Sequence, residues 1–256
     1  ILLTSREGIL KDNRVKGILL YMNTPGGTAN DADVIYRTLR EYKERYHVPI
    51  YTYVEGLCAS GGMYIAAASD KILSSSESII GSVGVLLGPN FNFFETMQKI
   101  GIKALTLTEG KDKDLLNPYR PWEPGEEASI KKITLSLYNH FVDIVLAARP
   151  AIDRNKLIQD YGAKVFIAEE AQQIGFIDDG NSSYSAAVKQ LAAASGIKEN
   201  EKYQVLHIEP THGIIKQLAQ GRAHFLKENI KHVFPLGPNI TSEMSGKFLY
   251  LYTPTN

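Results

Sequence analysis

The sequence predicts an α/β fold, a mostly parallel sheet covered by helices, and three observations carry that reading. Short apolar runs alternate with helical patterns along most of the chain. Residues 15–22 and 48–54 are near-continuously apolar instead of alternating, as strands buried on both faces are. Turns rich in glycine, proline and small residues follow both of those strands. With 256 residues, 44% hydrophobic and 22% charged, the chain can bury one sizeable core. Its 28 basic residues balance 28 acidic ones without a long block of one sign, so composition points to no nucleic-acid partner. The single Cys58 excludes an intrachain disulfide.

Taken in order, residues 15–22 form a first strand that ends at the Pro25-Gly26-Gly27 turn, and residues 31–46 form a helix. A second strand at 48–54, a small-residue helix at 61–69, a short strand at 70–73 and a strand at 81–87 complete a β-α-β-α-β-β order. An aromatic helix at 91–100, a strand at 104–108 and a loop rich in charge and proline at 109–124 follow. Residues 126–148 read as a long helix whose apolar face is Ile130, Ile133, Leu135, Leu137, Phe141, Ile144 and Val145, stopped before Pro150. Shorter helices are expected at 153–161, 168–173 and 183–194, with a strand or turn at 175–178.

From Lys202 the character changes to a strand-like run (203–208), a polar helix (214–231) and a tail with an aromatic segment at 248–252. The expected division is a main domain at 1–200 and a helical C-terminal extension at 201–256. The basic residues Lys216, Arg222, Lys227 and Lys231 of the polar helix suit a solvated or subunit-facing position better than a membrane surface. No apolar run reaches the roughly 18 residues that span a bilayer, so the chain as given reads as soluble. It begins at Ile1 within a helix-like pattern, and an upstream segment that could hold a membrane anchor is expected before it.

The chemistry concentrates at two turns. Ser60 lies in Gly56-Leu57-Cys58-Ala59-Ser60-Gly61-Gly62, between a strand and a helix, one strand-and-helix unit after Thr24-Pro25-Gly26-Gly27. A serine hydroxyl becomes a nucleophile when a base takes its proton, and the tetrahedral intermediate needs donors aimed at the developing oxyanion. The Gly61 amide at a helix start and the amide of Gly26 or Gly27 can supply them. Taken singly, each turn reads more simply as a tight turn or a serine-capped helix start, and their joint order is what points to catalysis. Cys58, two residues before the helix start, reads as a small buried residue.

No histidine lies between Ser60 and His140, which leaves lysine as the candidate base. A lysine pKa of about 10.4 must fall by roughly three units, at a cost of about 4 kcal/mol, so an apolar pocket is required. Lys71, Lys111 and Lys113 are the candidates, and Lys71 at a strand start reads as structural. On residue chemistry alone, Lys111-Asp112-Lys113-Asp114 reads first as a solvated charge run.

Five motifs in order extend this: Thr24-Pro25-Gly26-Gly27, Ala59-Ser60-Gly61-Gly62-Met63-Tyr64, Ala68-Ser69-Asp70-Lys71-Ile72, Ile80-Gly81-Ser82-Val83-Gly84-Val85 and Gly110-Lys111-Asp112-Lys113-Asp114. Together, over about residues 15–179, they resemble the signal peptide peptidase A (SppA/SohB-type) serine peptidases. The resemblance implies a Clp-protease/crotonase-like fold and a Ser-Lys dyad, with no metal and no cofactor. It nominates Ser60 as nucleophile, Lys113 as general base and Ser82 as the hydroxyl that orients the lysine amine. The implied activity is endopeptidase cleavage of hydrophobic or small-residue peptides, such as released signal peptides, through an acyl-enzyme. The resemblance also implies a homo-oligomeric ring or dome in which lysine and serine can meet across a subunit boundary. Its expected setting is a bacterial-type cell membrane with an extracytoplasmic catalytic domain. Thr24 stands where the family often has serine, the loop before Lys113 is slightly longer than usual, and Lys111 is a rival base.

Three other readings compete. A Clp-type Ser-His-Asp triad needs a histidine near Val85, and none is there. His140, His207, His212, His224 and His232 come late and suit surface positions. A crotonase-like acyl-CoA enzyme would use Glu77 or Glu95 as the proton-transfer carboxylate. A catalytically inactive scaffold would keep the fold and the oligomer alone.

Overall fold

The computed structural model describes residues 15–208 and the backbone of residues 249–251. β1 (Ile18–Thr24) is followed by β2 (Gly26–Thr28), α1 (Ala29–Tyr46), β3 (Ile50–Ala59), α2 (Gly61–Ala66), β4 (Lys71–Ser74) and β5 (Ile79–Gly81). The predicted order holds, with one further short strand after Pro25. β1 runs parallel to one edge of β3, from Ile18 opposite Ile50 to Thr24 opposite Cys58, with an irregularity between Met22 and Thr24. Along the other edge of β3, β4 pairs with Tyr51–Val54 and β5 with Leu57–Ala59, both parallel. β6 (Val165–Ile167) closes this side antiparallel to β5. The fold is thus mixed α/β with a mostly parallel sheet.

Burial explains the continuously apolar strands. On one face Tyr51, Tyr53 and Leu73 pack with Ala187 and Leu191 of the late helix at Tyr184–Ala194. On the other, Val54, Cys58, Ile72 and Ile80 join Met63 and Tyr64 of α2 and Phe141, Val142 and Val145 in the main core. α1 starts at Thr28, whose Oγ1 accepts the Asp31 N–H at 3.1 Å, and ends at His47, which takes a left-handed φ of 52°.

α3 (Phe94–Lys99) is shorter than the predicted 91–100, because Asn92 turns back to accept the Phe94 N–H at 2.9 Å. α4 (Ala128–Ala148) buries Phe141, Val142, Ile144 and Val145 in its C-terminal half, while Ile133 and Leu135 stay exposed. α5 (Arg154–Lys156) continues as a π-helical turn at Leu157–Tyr161; α6 (Ala168–Ile174) and α7 (Tyr184–Ala194) follow as expected. Residues 175–178 are a turn that begins at Gly175, whose φ is 98°.

Three predicted strands differ. Residues 104–108 are not a strand: Leu105 and Leu107 keep 83% and 84% of their accessible surface, and no described segment pairs with them. Alternating side chains suit a strand, but a strand also needs a neighbour for its N–H and C=O groups. The strand expected at 81–87 lies earlier, at Ile79–Gly81, and ends where φ reaches 130° at Gly81 and 58° at Ser82. Residues 203–208 are exposed and irregular. The helix expected at 214–231 lies outside the described residues. Residues 249–251 form β7 (Leu249–Leu251), which pairs antiparallel with β2.

Candidate active site

Ser60 sits at the junction where β3 ends at Ala59 and α2 begins at Gly61. It keeps 1% of its accessible surface, and its backbone takes φ 53° and ψ −114°, a conformation uncommon for a residue with a Cβ. Two bonds hold it there: its N–H donates to the Gly81 carbonyl at 2.8 Å, and its carbonyl accepts the Tyr64 N–H at 3.1 Å. Its hydroxyl does not cap α2, so the reading as a serine-capped helix start fails. Its hydroxyl thus has no capping role, within a turn that encloses it almost completely.

The parallel register of Ala59 with Gly81 sets Ser82 next in line beside Ser60. Ser82 is buried, has φ 58°, and donates its N–H to the Lys164 carbonyl at 2.7 Å. Strand pairing thus brings together two serines that are 22 positions apart.

Thr24, Pro25, Gly26 and Gly27 connect β1 and β2 beside α2. Gly26 has φ 109°, which favours glycine, and its N–H donates to Thr24 Oγ1 at 3.2 Å. Among the described residues, a Cβ built on Gly27 meets nothing within 4 Å. A Cβ on Gly62 would lie 2.8 Å from Thr24 Cγ2 and 3.5 Å from Cys58 Sγ, so Gly62 is what lets α2 seat against this turn. β7 lies along the β2 edge with Gly26 opposite Leu251 and Gly27 opposite Tyr250.

Lys111 and Lys113 are exposed, in turns within an arm of mostly irregular chain between residues 88 and 127. Neither ammonium has a hydrogen bond or ion pair with a described residue. Within the described residues the fold therefore brings Ser60, Ser82 and the glycine turn together and leaves the two lysines at the surface. Lys71 is exposed at the start of β4, its ammonium 5.9 Å from the Tyr51 ring centre. Cys58 is fully buried, and desolvation pushes its thiol up to about 12, so it is inert at neutral pH. His140 lies 3.9 Å from the Asp33 carboxylate on the outer side of α4, and His207 lies 3.4 Å from the Tyr184 hydroxyl. Glu77 and Glu95, the carboxylates of the acyl-CoA reading, are both exposed. No group of three or more His, Cys, Asp or Glu among the described residues is placed to hold a metal ion.

One cluster had little signal in the sequence. Arg120 bonds both Asp114 and Glu126, each six positions away, across a proline-rich loop whose composition suggested only irregular structure. The equal spacing of opposite charges was the only visible hint.

The profile of Peptidase family S49 matches residues 43–198. The chain belongs to this family. A Methanocaldococcus jannaschii protein provisionally named a protease is 32% identical over 204 residues, covering 76% of this chain and 64% of that protein. An Enterococcus faecium protein provisionally named signal peptide peptidase SppA is 32% identical over 176 residues, covering 69% and 50%. The Arabidopsis thaliana chloroplastic serine protease SPPA is 27% identical over 189 residues, covering 73% and 27%. This family S49 chain spans less than two thirds of the length of each of these relatives. A solved ClpP1 variant from Listeria monocytogenes overlays at a TM-score of 0.47 with 13% identity, covering 72% of this chain and 85% of that one, a likeness too weak to argue from. No helix among the described residues is long and apolar enough to cross a membrane.

Proposed function

We propose that this chain is a serine endopeptidase of the signal peptide peptidase A type, acting through a Ser60-Lys113 dyad on a Clp-protease/crotonase-like scaffold. The observation that carries the reading is Ser60 itself: a strained strand-to-helix serine whose hydroxyl is not spent on capping, beside Ser82 and at the start of the helix that seats Gly62 against Thr24 of the glycine turn. Family S49 membership supports the same chemistry.

In this mechanism neutral Lys113 takes the Ser60 proton as Oγ attacks the scissile carbonyl. The oxyanion is held by the N–H of Gly61 and that of Gly27, or that of Gly26 once it is released from Thr24 Oγ1. The lysine then passes its proton to the leaving amine, and water, activated by the same lysine, releases the acyl group. Ser82 accepts from the lysine amine and fixes its direction. β7 supports a peptide substrate, because an extended backbone already fits antiparallel along the edge that carries the glycines.

The exposure of Lys113 favours catalysis in a homo-oligomer, in which the arm of one copy reaches Ser60 of its neighbour. The bare Leu105 and Leu107 fit an arm that is covered on assembly. Burial at such an interface would also supply the desolvation a basic lysine needs to act at neutral pH. The substrates would be hydrophobic or small-residue peptides such as released signal peptides, at the membrane of a bacterial-type cell with the catalytic domain outside the cytoplasm. The peptidase unit would be residues 1–200 and the extension 201–256; the family match spans 43–198.

Fluorophosphonate labelling of the assembled protein tests this. Wild type and Lys111→Ala should label, and Ser60→Ala and Lys113→Ala should not. Acyl-CoA turnover that survives Ser60→Ala would establish the crotonase-like reading instead. A folded oligomer that never labels would indicate a scaffold.

A further inference from the structure

We infer that Arg120 is a positioning residue for the reaction: its guanidinium clamps the loop immediately after Lys113 and so sets where the lysine amine points. The inference rests on the proposed role of Lys113.

A lysine amine stands at the end of a flexible four-carbon stem, so its position is only as definite as the backbone that carries it. On an exposed arm without a core, that definition has to come from polar contacts. Arg120 provides them on the C-terminal side of Lys113. Its Nε donates to Asp114 Oδ2 at 2.8 Å, and its Nη2 donates to the Asp114 carbonyl at 2.9 Å. Asp114 is thus held by both side chain and main chain, and the residue it follows is Lys113. Nη2 also reaches Asp114 Oδ1 at 3.2 Å and Glu126 Oε1 at 2.7 Å, while Nη1 donates to Glu126 Oε2 and the Pro121 carbonyl, both at 2.8 Å. Every N–H of the guanidinium has an acceptor, a fork that a lysine at this position cannot reproduce.

Glu126 completes the clamp. Its side chain keeps only 4% of its accessible surface. Besides Arg120, it accepts the N–H of Leu116 and, at 2.8 Å, that of Glu123. The loop is therefore tied to the residue two positions before α4, a helix whose C-terminal half is in the core. A chain of direct contacts runs from the core through α4, Glu126 and Arg120 to Asp114 and Lys113. Arg120 holds both carboxyls below their ordinary range, Glu126 at about 2, so the clamp stays charged wherever the enzyme could work.

The test measures the pH dependence of the fluorophosphonate labelling rate in the assembled wild type, Arg120→Lys, Glu126→Gln and Lys113→Ala, with oligomeric state checked by light scattering. Arg120→Lys keeps the charge and removes the fork, so a purely through-space effect leaves the midpoint unmoved. Glu126→Gln removes a negative charge, which by electrostatics alone would lower a lysine midpoint. Loss of positioning instead predicts, in both variants, a rate at least tenfold lower at pH 7 and a midpoint raised by about one unit towards the ~10.4 of a solvated lysine. A lower rate with an unmoved or lowered midpoint in oligomeric protein, or no loss of rate, overturns the positioning role. Lys113→Ala labelling at the wild-type rate overturns the base assignment and the positioning role together. An inert Lys113→Ala with unaffected Arg120→Lys and Glu126→Gln overturns the positioning role alone.

Discussion

Ser60→Gly should be more stable than Ser60→Ala, although both variants lack the hydroxyl. The backbone at Ser60 is fixed at φ 53° and ψ −114° by the Ser60–Gly81 and Tyr64–Ser60 bonds and by the parallel register of β3 with β5. For a residue with a Cβ such a conformation costs about 1–3 kcal/mol. Alanine keeps the Cβ and therefore the strain. Glycine removes it but loses more chain entropy on folding, about 0.5–1 kcal/mol. The difference leaves Ser60→Gly ahead by about 1 kcal/mol at the centre of these ranges, with extremes of about 0 and 2.5 kcal/mol. At about 3 °C per kcal/mol for a chain of this size, its midpoint should be about 3 °C higher. Thermal unfolding of the two variants at equal protein concentration gives the comparison directly. A Ser60→Gly midpoint equal to or below that of Ser60→Ala would show that the turn stores no strain, and the argument for a nucleophile on a strained turn would lose its footing.

Other consequences can be checked separately. Gly62→Ala puts a methyl 2.8 Å from Thr24 Cγ2, and should cost about 1–3 kcal/mol in chemical denaturation and at least tenfold in labelling rate; adding Thr24→Ser, which removes the obstructing methyl, should restore most of both. The Cys58 thiol is pushed up to about 12 from an ordinary 9.0, so the folded state holds its proton where the unfolded state loses it. Stability should be full below about pH 9 and fall as pH rises towards 12, and Cys58→Ala should flatten that limb in urea titrations. Glu126 is depressed from 4.5 to about 2, so its contribution is present above pH 4.5 and lost as pH falls towards 2. Trp122, the sole tryptophan, donates to the Asn117 carbonyl at 3.0 Å inside the clamped loop. Its emission should therefore hold from pH 7 to 5 and change only below 4.5, and an earlier change would mean the clamp is weaker than its geometry.

Local sequence determined much of this protein. The continuous apolar run of β3 specified a strand buried on both faces, with Tyr51 and Tyr53 on one side of the core and Val54 on the other, whereas β1, at the sheet edge, buries only Met22. The turns at Pro25 and Ser60 could be located because glycine and proline restrict the backbone within a few residues. The helices that became α1, α4, α6 and α7 were legible from their helical patterns, while the caps at Thr28 and Ser183 emerged only in the structure. What stayed hidden depends on partners distant in sequence. Leu105-Thr106-Leu107 alternates like a strand, yet its identity is decided by whether another strand lies beside it, and none of the described segments does. Ser60 and Ser82 become neighbours only through the register of β3 with β5, and the strain at Ser60 exists only because that register and α2 hold it from both sides. Arg120 finds Asp114 and Glu126 because the loop folds back on itself, which charge spacing alone cannot specify. Periodicity and turn chemistry are local properties of a chain and can be read along it. Register, strain and ion pairing are relations between segments, and tertiary packing decided them.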